Sequence, residues 1–441
     1  MPSVAVIGGG LAGLASAAAL GSAGFEVDLF ESRGFLGGRA TSFPVSSCED
    51  HTELIDNCQH VLLKCCVNLM DFYGRLGVAQ DIRFYREFYF LEPGGRVSTL
   101  RRGPLPAPLH LASSFLRMHC LGMADKLSIA GAMSALKRER QTRTDLDRIT
   151  MLDWLREKKQ TPRAIDRFWR QVLVSAINEE LDRMAALHGF QVFWLGMLAR
   201  ADSYEMGIPQ VPLGALYNAA AWRTSGNVRI HSRAPVERIV FREGSAVGIE
   251  ISGETCRADY YITSVPFERL AALAPQLGID TARFEHSPIT GIHMWFDRQV
   301  TSLPHAVLLD RTLQWMFNKR QGRYLQFVVS ASRSLVDKSR AEVIDLATRE
   351  AAEFFPLIKQ AKVERAHVIK ELRATYSARP GMEAERPGTR SHVPNVFLAG
   401  DWTRSGWPAT MEGAVRSGYQ AAEAVAEAAG RPARFLLPDI A

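Results

Sequence analysis

"SVAVIGGGLAGLASAAALGSAGFEVDLFES", residues 3–32, reads as three consecutive elements. Residues 3–10 open as a short apolar run suited to a buried strand, 11–24 as an alanine-rich helix closed by glycine, and 25–32 as a second strand. A strand, a helix and a strand within about 30 residues is the setting in which G-x-G-x-x-G carries meaning. Gly8, Gly10 and Gly13 supply it. The first glycine permits a tight turn and the second lets backbone approach a pyrophosphate. The third lets the helix pack on the strand, with its N-terminus aimed at phosphate. Glu31 closes the second strand where an acid binds a ribose hydroxyl. The opening is a dinucleotide site on an α/β sheet.

Further along, "GFLGGRATS" (34–42) follows where an NAD-dependent dehydrogenase would continue into its next crossover helix. Gly37 and Gly38 again allow close backbone approach, and Arg39 can clamp a phosphate or reach a flavin edge. The far end of the chain supplies a matching half. "VFLAGDWTRSGWPATMEGAVRSGYQAA" (396–422) reads as a strand, an acidic turn and a helix. Asp401 can bind a ribityl hydroxyl there, and the backbone N–H groups around Met411 can stabilise negative charge at flavin N1 and O2. The two ends together outline one FAD.

Between them the texture changes twice. Helical periodicity dominates 60–77 and much of 108–200, with Thr150 and Thr161 placed as caps. From Asn227 the pattern turns to strands, "NVRIHS", "PVERIVFREG", "AVGIEIS" and "DYYITSVP", spaced as hairpins. Strands are also predicted at 289–297, 313–319, 322–332 and 362–373, and a helix at 337–356. Nucleotide-binding pattern at both ends and in the middle predicts interleaved domains. The fold expected is α/β, a Rossmann-like FAD-binding domain drawn from 1–95, 206–284 and 386–441. An α+β substrate domain would take a helical, membrane-facing part at 96–205 and a sheet at 285–385.

Composition narrows the remaining classes. The 441 residues suit two or three domains, and 47% apolar against 23% charged residues is ordinary for a globular chain with a sizeable core. The net charge of +6 gathers in "GGRVSTLRRG" (94–103) and "ALKRERQTR" (135–143). Such clusters read first as a solvated face and next as a face docking on anionic lipid. No recognition motif accompanies them, so nucleic acid is not expected as a partner. Cys48, Cys58, Cys65, Cys66, Cys120 and Cys256 form no C-x-x-C pair, so they read as reduced, cytoplasmic thiols without structural zinc. The apolar N-terminus lacks the basic flank of a signal peptide, and no apolar run reaches the roughly 18 residues of a spanning helix.

The motifs taken together have a family likeness. The N-terminal fingerprint, "GGRATS", "PVERI" (235–239) and "GDW…MEGAVRSG" resemble the FAD-dependent amine oxidase and phytoene desaturase superfamily over nearly the whole chain. Within it, "IDNCQHVLL" (55–63), "ELRATYSARPG" (371–381) and "LAGDWTRSGWPATMEGAVRSG" (398–418) most resemble the hydroxysqualene dehydroxylases. These squalene-associated FAD-dependent desaturases make squalene for hopanoids. Cys58 stands where that family has the glycine of D-N-G-Q-H, and Lys64 and Cys66 replace the glycine and tyrosine of its G-C-Y. The resemblance assigns Gly8, Gly10, Gly13, Glu31, Gly38 and Arg39 to FAD. It places the Val236 backbone near adenine, Gly400 and Asp401 at the phosphate and ribityl region, and Met411 at the flavin. It further implies a hydrophobic isoprenoid substrate, and the reduced cysteines and basic clusters lead us to expect a cytoplasmic protein in peripheral contact with the inner membrane face. Because no second nucleotide site is evident, a separate reductant is expected.

In such a fold 55–66 should cross the face or edge of the flavin, with Asp56, Asn57, Gln59 and His60 at the rim of an apolar pocket. A metal site would need more nitrogen or sulfur ligands than Cys58 and His60, and a Cys-His nucleophile lacks a third orienting group. The competing structural reading has His60 capping a helix near Val61 and Asp56 bonding backbone. The reaction implied by the resemblance is reductive removal of an allylic hydroxyl. Protonation and loss of water leave a delocalised cation, which takes hydride from reduced flavin, with Asp56 and His60 the candidate acids. A carotenoid desaturase, an amine oxidase and a flavin-containing lipid-binding protein are the rivals. "PLPAPLHLASSFLRMHCLGMADKL" (104–127) sets Leu109, Phe115, Leu116, Met118 and Leu121 either in the core or on an interfacial helix beside a lipid tunnel.

Overall fold

The computed structural model describes residues 1–46, 52–218, 222 and 226–440. Ser3–Ile7, Leu11–Ser22 and Glu26–Glu31 form the expected strand, helix and strand, and the two strands pair in parallel. Three further parallel strands complete a five-stranded sheet in the order Val228–Ser232, Glu26–Glu31, Ser3–Ile7, Tyr260–Thr263, Val396–Leu398. The beginning, the middle and the end of the chain therefore share one sheet. Helices cover it, which is why its strands are nearly continuous in apolar residues. The last helix, Met411–Ala428, locks onto the first. A Cβ at Gly418 would lie 2.2 Å from the Ala12 carbonyl oxygen, so only glycine lets the two backbones meet.

A second, seven-stranded sheet runs in the order Val363–Tyr376, His286–Phe296, Tyr324–Ser330, Trp315–Arg320, His305–Leu308, Glu87–Leu91, Val97–Arg101. Leu325, Phe327 and Val329 pack with Val343, Ala347 and Ala351 of the helix Arg340–Phe354. Side chains alternate along a strand, so Gln326, Val328, Trp315 and Phe317 face the opposite way, inward. Gly291 shows what covers that inner face. A Cβ there would lie 3.0 Å from the Asn57 carbonyl oxygen, so the backbone of the 56–60 segment presses directly on the sheet.

Several sequence expectations change. The boundary expected at 95/96 cuts a hairpin, because Glu87–Leu91 and Val97–Arg101 pair with each other and join the seven-stranded sheet. The helix expected over 60–77 is confined to Val67–Arg75, preceded by the short strand Leu62–Leu63, so His60 caps no helix. The "PVERI" strand begins only at Arg238, leaving Val236 in the connection. Residues 104–127 are not one interfacial helix: Ala112–Arg117 ends at Met118 and a new helix starts at Met123. Met118 and Leu121 are buried, whereas Leu109 and Leu116 are exposed. Thr150 and Thr161 cap as expected, accepting from the Asp153 and Ala164 amides. Cys48 lies outside the described residues; the other five cysteines are free thiols.

Candidate functional site

The first turn after Ser3–Ile7 is built around Gly8, whose φ of +109° is open to glycine alone. Gly13 packs against it so tightly that a Cβ would lie 2.0 Å from the Gly8 carbonyl oxygen. Gly10 differs. It caps the first helix with no side-chain bond, and nothing lies nearer than 4.0 Å to where its Cβ would be. Open space in front of uncapped helical amides is what a pyrophosphate requires. The Glu31 carboxylate accepts the Gly9 and Arg33 amides at 2.7 Å each, setting it beside this turn. The Ala234 amide donates to the Glu31 carbonyl, which brings the half-buried Val236 connection to the same end of the sheet.

The second glycine pair closes over the first. Gly10 bridges Gly37, and a Cβ on Gly38 would be 3.0 Å from the Gly10 Cα. Arg39 pairs with Asp401 and donates to the Ala374 carbonyl at 3.0 Å, joining both ends of the chain to the edge of the seven-stranded sheet. Gly400 holds φ at +134° and donates its amide to Ser417 Oγ at 2.8 Å. Met411 opens the last helix, capped by Thr410, whose Oγ1 accepts the Gly413 amide at 3.0 Å. The sequence-predicted cofactor residues thus line one continuous seam. A hollow at helical amides, an arginine beside it and a second helix N-terminus fit the pyrophosphate, ribityl and ring parts of FAD.

The 55–66 stretch lies between that seam and the seven-stranded sheet. Asp56, buried, accepts Ser42 Oγ at 2.7 Å, the Leu213 amide at 2.9 Å and Lys319 Nζ at 3.4 Å. It acts as an acceptor that anchors the segment, and its bond to backbone is the one the structural reading expected. Lys319 also donates to Gln59 Oε1 at 2.9 Å. His60 Nδ1 donates to the Cys58 carbonyl at 3.0 Å, which leaves Nε2 as the ring atom able to exchange a proton. Burial holds its pKa below the ordinary imidazole value. Burial also pushes the Cys58 thiol up to about 12, far from the thiolate a nucleophile needs. Among the described residues, no group of three or more His, Cys, Asp or Glu side chains is placed to hold a metal ion.

Sequence reasoning missed Lys319 and Glu412. Lys319 is the penultimate residue of the strand Trp315–Arg320 and faces inward with Trp315 and Phe317, a signal visible in "LQWMFNK" only once the inner face is known. Glu412, 1% exposed, accepts the Asn68 and Leu69 amides at 3.2 and 2.7 Å, so the last helix caps the helix Val67–Arg75 from outside. Burial raises its pKa. A glutamate capping a helix over 300 residues away leaves no local pattern.

The arrangement is that of a flavoprotein oxidoreductase, and comparison with known sequences agrees. The chain belongs to the family described as flavin containing amine oxidoreductase, whose profile matches residues 11–426. It is 27% identical to the chloroplastic/chromoplastic zeta-carotene desaturase of Solanum lycopersicum, over 95% of this chain and 80% of that one. It is 25% identical to the 15-cis-phytoene desaturase of the same plant, over 96% and 77%. A solved oxidoreductase from Methanosarcina mazei shares the fold at a TM-score of 0.71 and 18% identity, covering 94% of this chain and 98% of that one. The protein is an FAD-dependent oxidoreductase of the amine oxidase and carotenoid desaturase superfamily.

Proposed function

We propose that this enzyme removes the allylic hydroxyl of hydroxysqualene reductively, giving squalene for hopanoid synthesis. The observation that carries the reading is the inner face of the seven-stranded sheet. Trp315, Phe317 and Val328 make it apolar enough for a long isoprenoid, while the 56–60 segment brings proton-carrying groups against it. The "IDNCQHVLL" and "ELRATYSARPG" segments, which resemble the dehydroxylases, supply that segment and the edge strand beside Arg39.

Bound, reduced FAD supplies the hydride. The chain's own tasks are to hold the substrate carbon, protonate its oxygen and keep out water that would recapture the cation. The C–O bond breaks with its electrons leaving on oxygen, one proton makes that oxygen water, and hydride completes the new C–H bond. His60, with Nδ1 held by the Cys58 carbonyl, would deliver the proton from Nε2. Its lowered pKa makes the protonated ring a stronger acid than free imidazole. Asp56 and Lys319 keep the segment and Gln59 in place.

The desaturase relatives support a second reading, in which oxidised enzyme takes hydride from a carotene. Holoenzyme reduced in the absence of air is expected to convert hydroxysqualene to squalene, identified by mass spectrometry, and oxidised holoenzyme to leave phytoene unchanged. Conversion of phytoene instead would replace the first reading by the second.

Such a substrate resides in membrane, and 104–127 suits uptake from it. Leu109, Leu116 and Leu127 are 58%, 57% and 69% exposed, near exposed Arg101, Arg102 and Arg117. Among the described residues no helix is long and apolar enough to cross a membrane, so contact would be peripheral. Replacing the three leucines with serine is expected to lower partitioning onto anionic vesicles at least about tenfold, given the apolar area each contributes. Equal partitioning would place the membrane contact elsewhere.

A further inference from the structure

A transverse row crosses the inner face of the seven-stranded sheet. His305, Phe317, Gln326, His293 and His367 are successive cross-strand partners. Gln326 and His293 are fully buried. His293 Nδ1 lies 2.6 Å from the Tyr324 hydroxyl, and its Nε2 lies 3.5 Å from the Gln326 amide nitrogen. The other end of that amide, Oε1, is buried without a partner. On the side away from His293, Phe317 is the cross-strand neighbour of Gln326 and Val328 stands two residues along, both apolar. Gly291, two residues along from His293 and so on the same face, is the point where the Asn57 backbone presses on the sheet, so the unpaired amide end belongs to the face that meets the 56–60 segment.

Burying half of an amide without a bond is costly, and a hydrocarbon can do nothing for it. Turning the amide over does not help. His293 would then meet the oxygen, and the NH2 end would be left alone instead. An alcohol both donates and accepts, so it satisfies either orientation. Burial takes the His293 pKa down to about 3, so the neutral ring keeps one lone pair and one N–H and fixes the amide by whichever it offers.

We infer that Gln326, oriented by His293 and Tyr324, is the residue that recognises the substrate's hydroxyl, and so selects an isoprenoid alcohol over the corresponding hydrocarbon. The inference rests on the isoprenoid reading above and names the group by which that site tells its substrate from its product.

Binding separates the two. Oxidised FAD-loaded protein is titrated with hydroxysqualene and with squalene in one detergent, following the flavin fluorescence, so no turnover is needed. Wild type is expected to bind the alcohol about tenfold more tightly, the worth of one buried neutral hydrogen bond. Gln326→Leu is expected to bind both alike, with a melting temperature close to that of wild type, because the orphaned amide end is gone while His293 Nε2 loses its partner. Gln326→Met, closer in shape, guards against a folding defect in the first variant. Equal binding by wild type, or a preference surviving in either variant with FAD still bound, overturns the inference. Wild type that prefers the alcohol yet forms no squalene when reduced supports the hydroxyl site and removes the reaction. Squalene formed with no binding preference removes the hydroxyl site alone.

Discussion

Gly13→Ala is expected to yield protein without FAD and with a markedly lower melting temperature. The single methyl would stand 2.0 Å from the Gly8 carbonyl oxygen and 2.6 Å from Ser264 Oγ, so the first helix must leave the strand it packs on. Overpacking of this kind costs about 1–3 kcal/mol or more, and here it would also move the helical amides expected to meet the pyrophosphate. Gly10→Ala is the informative companion. Its φ of −77° suits alanine, and its methyl meets no atom nearer than 4.0 Å, so the fold should hold. The methyl would nevertheless fill the space the pyrophosphate needs. Absorbance of the bound flavin and thermal melts check both: Gly13→Ala should lose cofactor and stability, Gly10→Ala cofactor alone. Normal flavin content in Gly10→Ala would mean that the pyrophosphate does not lie against this turn.

A steep loss of stability below neutral pH is the second large effect expected. Burial takes His188 and His293 down to about 3 and His305 to about 4. In the unfolded chain each titrates near 6.5. The folded-state values are depressed, so the stability these groups contribute is complete above pH of roughly 6.5 and is lost as pH falls toward the folded values. In that window each imidazole costs about 1.4 kcal/mol per pH unit, so three cost about 4 kcal/mol per unit against a typical total of 5–15 kcal/mol. His188 isolates the effect because neither ring nitrogen has a partner. His188→Leu removes the titration without breaking a bond and should gain about 2 kcal/mol over wild type at pH about 5. Melts between neutral pH and that point measure it. Parallel curves for the two proteins would show that His188 takes up its proton in the folded state.

What the sequence made legible follows from range. The glycine turns and the acid beside them were readable because each part is local: glycines at turns and an acid at a strand end, all within a few residues of what they serve. The interleaving was readable too, since the two halves of the FAD pattern sit at opposite ends of one chain. The inner face of the second sheet was not. Gln326 and Lys319 sit in runs that look like ordinary strands, and their position depends on the Arg340–Phe354 helix taking the other face. The boundary at 95 failed for the same reason, because the strand Glu87–Leu91 joins its sheet through pairing with His305–Leu308, over 200 residues onward. The segment 60–66 carries helix-compatible spacing, yet Leu62–Leu63 pairs with Met206–Pro209 instead. Tertiary pairing overrode the local pattern there.

The central claim is that the reaction runs from bound reduced flavin to an isoprenoid alcohol. Its most direct test is one anaerobic turnover. Stoichiometrically reduced holoenzyme is mixed with hydroxysqualene, and flavin reoxidation and squalene are followed in the same sample. The account predicts one squalene per flavin reoxidised, and no reoxidation with squalene in place of the alcohol. Flavin that stays reduced in the presence of hydroxysqualene, while oxidised enzyme bleaches on meeting phytoene, would contradict it.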